Sequence, residues 1–142
     1  MKKVILFAAI FALILAFVGC SAKFDTDEAI EKLREQGLTL STVYTTEREL
    51  SDGTSLANAE VRMMGGDFTV ELRGYSSLIQ KGDPSKNCQI FTFATQEQAS
   101  AYAELYVSSR WEGSAWKVAQ SDCVVILTNL EVAQQTINLD FK

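Results

Sequence analysis

The 142-residue chain has no histidine, a single proline and three cysteines. Without histidine, Ser-His and Cys-His nucleophile pairs, histidine general bases and His-dependent zinc sites are all excluded. Also missing are a phosphate-cradling GxxxxGK, a GxGxxG, a CxxC pair and an acidic calcium loop of EF-hand spacing. No cofactor and no metal is therefore expected. With one proline, 22% charged and 47% hydrophobic residues, the chain is neither disordered nor collagen-like. Positive charge is scarce as well: beyond residue 19, 11 Lys or Arg face 18 Asp or Glu, a formal charge of −7. Phosphate contact rewards Lys and Arg, so this balance argues against a nucleic-acid partner, and likewise against lying flat on anionic lipid.

The front of the chain is different in kind. Met1-Lys2-Lys3 is a short basic segment, residues 4–18 hold no polar side chain, and Gly19-Cys20-Ser21-Ala22 supplies small residues suited to peptidase cleavage. This pattern predicts a signal peptide over residues 1–19. Phe17-Val18-Gly19-Cys20 resembles the lipobox of bacterial lipoproteins, in which the peptidase cuts before a cysteine whose sulfur bears a diacylglyceryl group. Gly19 and Cys20 match that pattern, Val18 is tolerated, and Phe17 stands where the pattern prefers Leu.

The resemblance covers about twenty residues and concerns processing, not the domain that follows. It implies lipidation of Cys20, with palmitate-type acyl chains, and attachment to the extracytoplasmic face of a cell membrane. Two or three acyl chains at about 0.8 kcal/mol per buried CH₂ hold stably where one would not. Two other readings of the same residues stay open. The 19 uncharged residues between Lys3 and Lys23 approach the roughly 20 that span a bilayer, and an ordinary secretory signal would release the domain. Residues 20–25 form only a short tether, at most roughly 20 Å when extended. A membrane-proximal protein partner is the expectation.

Residues 26–142 read as one α+β domain. Asp25 caps a helix with Glu28 three residues on and Ala29, Ile30 and Leu33 as its apolar stripe, and Gly37 ends it. Residues 38–46 alternate as a strand, and 47–58 read as a polar connection. Residues 59–73 predict a hairpin turning at Gly65-Gly66, with Val61 opposite Val70 and surface pairs Glu60 with Arg73 and Arg62 with Glu71. Residues 74–86, with Pro84, read as irregular, with a short helix at 76–81 as an option. Residues 87–94 predict a central strand apolar on both faces. Thr95 and Gln98 form a capping box for a helix to about Ser109. A hairpin over 116–120 and 123–127 follows, then a box at Thr128 and Glu131 opens a last helix along Leu130, Ala133, Ile137 and Phe141. The expected architecture is a two-layer α+β sandwich, an antiparallel or mixed sheet with helices on one face, of roughly ferredoxin-like character.

Candidate chemistry is thin. Ser114-Ala115-Trp116-Lys117 has S-x-x-K spacing, but with 12 serines and 8 lysines such a match arises by chance, and its partner motifs are missing. Cys88 and Cys123 permit one disulfide or serve as buried thiols. Trp111 and Trp116 bracket a short loop and form either a binding edge or part of the core. The leading expectation is a lipid-anchored binding or accessory module. The alternatives are a small hydrolase-type enzyme using carboxylates, with Glu97, Glu104, Glu112 and Asp122 available, and an inhibitor or immunity-type module.

Overall fold

The computed structural model describes residues 24–142, so the expected signal peptide over residues 1–19 and Cys20 lie outside the described residues. The elements are α1 (Thr26–Glu35), β1 (Leu38–Tyr44), α2 (Glu47–Met63), β2 (Leu72–Gln80), β3 (Asp83–Phe93), α3 (Gln96–Ser109), β4 (Lys117–Ser121), β5 (Val124–Thr128) and α4 (Glu131–Thr136). The strands form one sheet in the order β1-β2-β3-β5-β4, every neighbour antiparallel. This is the expected α+β sandwich. The run β1-α2-β2-β3-α3-β4 repeats the β-α-β-β-α-β string of ferredoxin-like folds, although here β1, β2 and β3 lie side by side.

Local chemistry explains the helix ends. Asp25 Oδ1 accepts from the Glu28 N–H at 3.0 Å and Gly37, at φ 92°, closes α1. Thr95 Oγ1 accepts from the Gln98 N–H at 3.2 Å, but the Gln98 side chain turns away from the cap and accepts from the Glu71 N–H at 2.9 Å. Thr128 is no helix cap. Its buried hydroxyl donates to the Asn87 carbonyl and accepts from the Leu130 N–H, and α4 begins after Leu130 and ends at Thr136.

Residues 47–86 depart from expectation. The polar connection and the first arm of the hairpin are a single helix, α2, opened by a full capping box in which Thr46 and Glu49 satisfy each other's backbone N–H groups. Gly53, Ala57 and Val61 are its buried residues, spaced by four, whereas Met63 is exposed. Gly65-Gly66 is therefore a helix stop and not a hairpin turn. The Gly66 N–H donates to the Val61 carbonyl and the Gly65 N–H to the Arg62 carbonyl, with Gly65 at φ 87°. The surface pairs Glu60 with Arg73 and Arg62 with Glu71 do not form; Arg73 pairs with Glu71 at 3.2 Å.

The stretch 74–86 is ordered too. It is the β2–β3 hairpin, turning at Lys81-Gly82, with no helix at 76–81. Pro84 fits there because β5 reaches β3 only from Cys88 onward, so no neighbour on that side needs its missing N–H. Of the second arm of the expected hairpin, residues 67–71 are a non-ladder segment whose backbone is held largely by side chains, and Leu72 and Arg73 already belong to β2. Asn58 accepts from the Val70 N–H at 2.8 Å and donates to the Val70 carbonyl, and Thr54 accepts from the Leu72 N–H.

β3 is the central strand, as expected. Its alternation divides the core: Cys88 and Ile90 point to one face, Phe91 and Phe93 to the other. The helical cover that the sequence assigns to one face is shared between two. α2 and α3 pack on the Phe91 face; α1 and α4 pack on the Ile90 face with Leu33, Leu78, Ile126 and Ala133.

Candidate functional site: an aromatic groove between two helices

A row of rings crosses the Phe91 face because directly paired positions on β1, β2 and β3 carry aromatics. Tyr44 pairs with Tyr75 and Tyr75 with Phe91, with ring centroids 4.9 and 5.0 Å apart. Phe93 lies parallel to Phe91 at 6.0 Å, and Tyr102 from α3 tilts against both at 5.5 and 5.0 Å. Quadrupole geometry favours such offset and tilted contacts.

Where α2 and α3 diverge above this row, the surface opens into two adjoining hollows that share Glu60 and Gln89. The larger, about 270 Å³, is lined by Glu60, Met64, Tyr102, Tyr106 and Trp116 over Gln89, with Met63 at its edge. The smaller, about 80 Å³, continues toward Tyr44, Tyr75 and Leu56. α2 exposes Leu56 and Met63, seven residues apart, on either side of Glu60.

The polar groups of the groove are few and ordered. The Tyr102 hydroxyl donates to Glu60 Oε2 at 2.7 Å, and the Tyr75 hydroxyl to Gln89 Oε1 at 3.2 Å. Burial pushes the Tyr102 hydroxyl well above the usual phenol range, and the charge of Glu60 and their hydrogen bond push it further. Burial also raises Tyr75 and Tyr106, the latter opposed by the Arg110 guanidinium. These phenols stay protonated at neutral pH, so Tyr102 is a permanent donor to Glu60.

The sequence-predicted residues fall in different places. Trp116 lines the larger hollow, while Trp111 is 72% exposed at a turn in which the Ser114 N–H donates to its carbonyl. Ser114 Oγ accepts from the Trp116 N–H at 3.3 Å, which gives the S-x-x-K serine a local structural role. Of the carboxylates offered for catalysis, Glu97, Glu104 and Glu112 are exposed. Asp122 occupies the β4–β5 turn at φ 48° and its carbonyl accepts from the Gln120 side chain. None of these four lines the groove. Glu104 instead borders another hollow, about 370 Å³ and without an aromatic ring, between α3, β4 and Lys142. Among the described residues no group of three or more His, Cys, Asp or Glu is placed to hold a metal.

The bridge between Cys88 and Cys123 does not form. Cys88 is a free, buried thiol paired across the ladder with Thr128, while the carbonyl of Cys123 accepts from the Phe93 N–H. That is five residues further along β3, roughly 17 Å, against the ~4–7 Å between Cα atoms that a disulfide spans.

Sequence reasoning missed Glu60, Tyr75 and Gln89, because it placed Glu60 on a solvated hairpin face and Tyr75 in an irregular stretch. The signal that would have found Glu60 is the Thr46-x-x-Glu49 box followed by the four-residue spacing of Gly53, Ala57 and Val61. Comparison with known protein families, curated proteins and solved structures gives no match.

Proposed function

We propose that the chain is a lipid-anchored extracytoplasmic lipoprotein whose small domain is a non-catalytic binding module, with the α2–α3 groove as its binding surface. The anchor rests on the sequence: a basic start, fifteen apolar residues and Gly19-Cys20. Phe24 already packs on the α1–α4 face, four positions from Cys20, so a lipid on Cys20 would hold the domain within roughly 14 Å of its attachment point. The groove lies on the opposite face of the sheet from Phe24.

The observation that carries the binding reading is the groove's chemistry: an open hollow walled by rings, with a small number of fixed polar groups, as small-ligand sites are built. It has one carboxylate, Glu60, and hydrolysis by a carboxylate pair needs a second across the same cleft. The anchor is tested by intact mass of membrane-extracted protein and of Cys20→Ala. Loss of residues 1–19 with the added mass of a diacylglyceryl group, absent in the variant, is the expected result. An unmodified full-length mass would overturn the anchor.

A further inference from the structure

We infer that the groove takes an alkylammonium group, held against Tyr106 and Trp116 and neutralised by Glu60; this deepens the binding reading above and rests on it. Glu60 is the sole carboxylate lining either hollow and no Lys or Arg lines them; the Arg110 guanidinium, whose charge reaches Tyr106, is engaged by the Trp116 and Lys142 carbonyls. None of the three ion pairs among the described residues involves it. Tyr102 occupies Oε2 and fixes the carboxylate over the ring-lined floor, and a carboxylate accepts more bonds than that one.

Ring faces attract cations most strongly where water is partly excluded, and Trp attracts more than Tyr or Phe. Trp116, Tyr106 and Tyr102 line one hollow together with a fixed negative charge and with the soft methionines 63 and 64. Neutral sugars or alkanes would use the rings but leave Glu60 unmatched, and an anion would be repelled by it. The formal −7 of residues 20–142 raises the local concentration of any cation. The volume, about 270 Å³, suits a small amine or one side chain, not a folded surface.

The test uses the full chain in a non-ionic detergent with Trp111→Phe, so that Trp116 is the sole tryptophan reporter. Choline is titrated beside 3,3-dimethylbutan-1-ol, which has the same shape without the charge. Saturable quenching by choline at least about tenfold tighter than by the alcohol is expected, with Glu60→Gln removing that preference and leaving the alcohol unchanged. A blocked lysine, Nα-acetyl-lysine methylamide, distinguishes the source. Tighter binding of its primary ammonium points to a lysine of a partner protein, and tighter binding of choline to a free quaternary amine. Equal binding of choline and the alcohol would overturn the ammonium assignment while leaving a binding groove. No saturable response to any of the three would overturn both. The charged and neutral probes are compared on one protein, so the result stands even if Glu60→Gln unfolds.

Discussion

The two faces of the sheet are made from the same strands and differ in the side chains they carry. On the α1–α4 face the buried set is Leu33, Leu38, Leu78, Cys88, Ile90, Val124, Ile126, Leu130, Ala133 and Ile137, aliphatic apart from one thiol. On the α2–α3 face the buried set also holds aliphatic residues, among them Val61, Leu72, Val125 and Leu127, but Phe91, Phe93 and Tyr102 stand among them, with hydroxyls and a carboxylate at the margin. Aliphatic chains interdigitate and close over a face. Rings with polar tips pack edge to face and leave open surface where their hydroxyls must reach a partner. Both faces bury a core, and the one that carries the rings also opens into the groove.

The comparison breaks first if truncation on the aliphatic face is tolerated. Leu78 on β2 is fully buried in the cluster with Leu33, Ile90 and Ile126, and Leu78→Ala is expected to destabilise by about 2–5 kcal/mol in urea unfolding. Choline binding in the fraction that stays folded should be unchanged, because Leu78 points away from the groove. A loss below about 1 kcal/mol would mean that this face repacks freely and is not the rigid one.

Cys88 probes how dry the same face is. Burial pushes its thiol from an ordinary 9.0 up to about 12, opposed by a hydrogen bond with Thr128. The unfolded chain releases this proton near pH 9 and the native protein does not, so the Cys88 contribution is complete below pH 9 and is lost as pH rises from 9 toward 12. The slope is about 1.4 kcal/mol per pH unit. Between pH 9 and 10, where the unfolded thiol is still part-way through its titration, wild type should lose about 1 kcal/mol, and Cys88→Ala should lack this part of the slope. Equal slopes would show that water reaches the thiol.

The two faces were also unequally legible in the sequence. Asp25, Gly37, the doubly apolar run 87–94 and the β4–β5 hairpin each carry one strong local signal and appear as expected, except that β3 starts earlier, at Asp83. α2 carries two signals that conflict. Ala59, Val61 and Met63 alternate like a strand and are followed by Gly-Gly, yet a positive-φ glycine serves a hairpin turn and a helix stop equally well. Only the longer window, with the Thr46 and Glu49 box and the four-residue spacing from Gly53 to Val61, decides for the helix. The groove stayed hidden with it. Glu60 and Tyr102 are 42 residues apart, and their meeting depends on two helices lying on the same face of the sheet, which no local pattern encodes.

The smallest expected effect sharpens the comparison most. Tyr102→Phe keeps the buried ring and its contacts with Phe91 and Phe93 and removes only the hydroxyl that holds Glu60. Glu60 is largely exposed and regains water, so the loss in stability should be about 1 kcal/mol, well below that of Leu78→Ala. Choline affinity should fall by more than this small loss suggests, since a carboxylate free to swing into water no longer stands over the rings. The neutral alcohol should bind as before. A Tyr102→Phe protein with unchanged choline affinity would mean that the hydroxyl serves packing alone, and the polar margin of this face would then be structural. A selective loss of the charged probe at little cost in stability would separate the two faces by function as cleanly as their side chains separate them by chemistry.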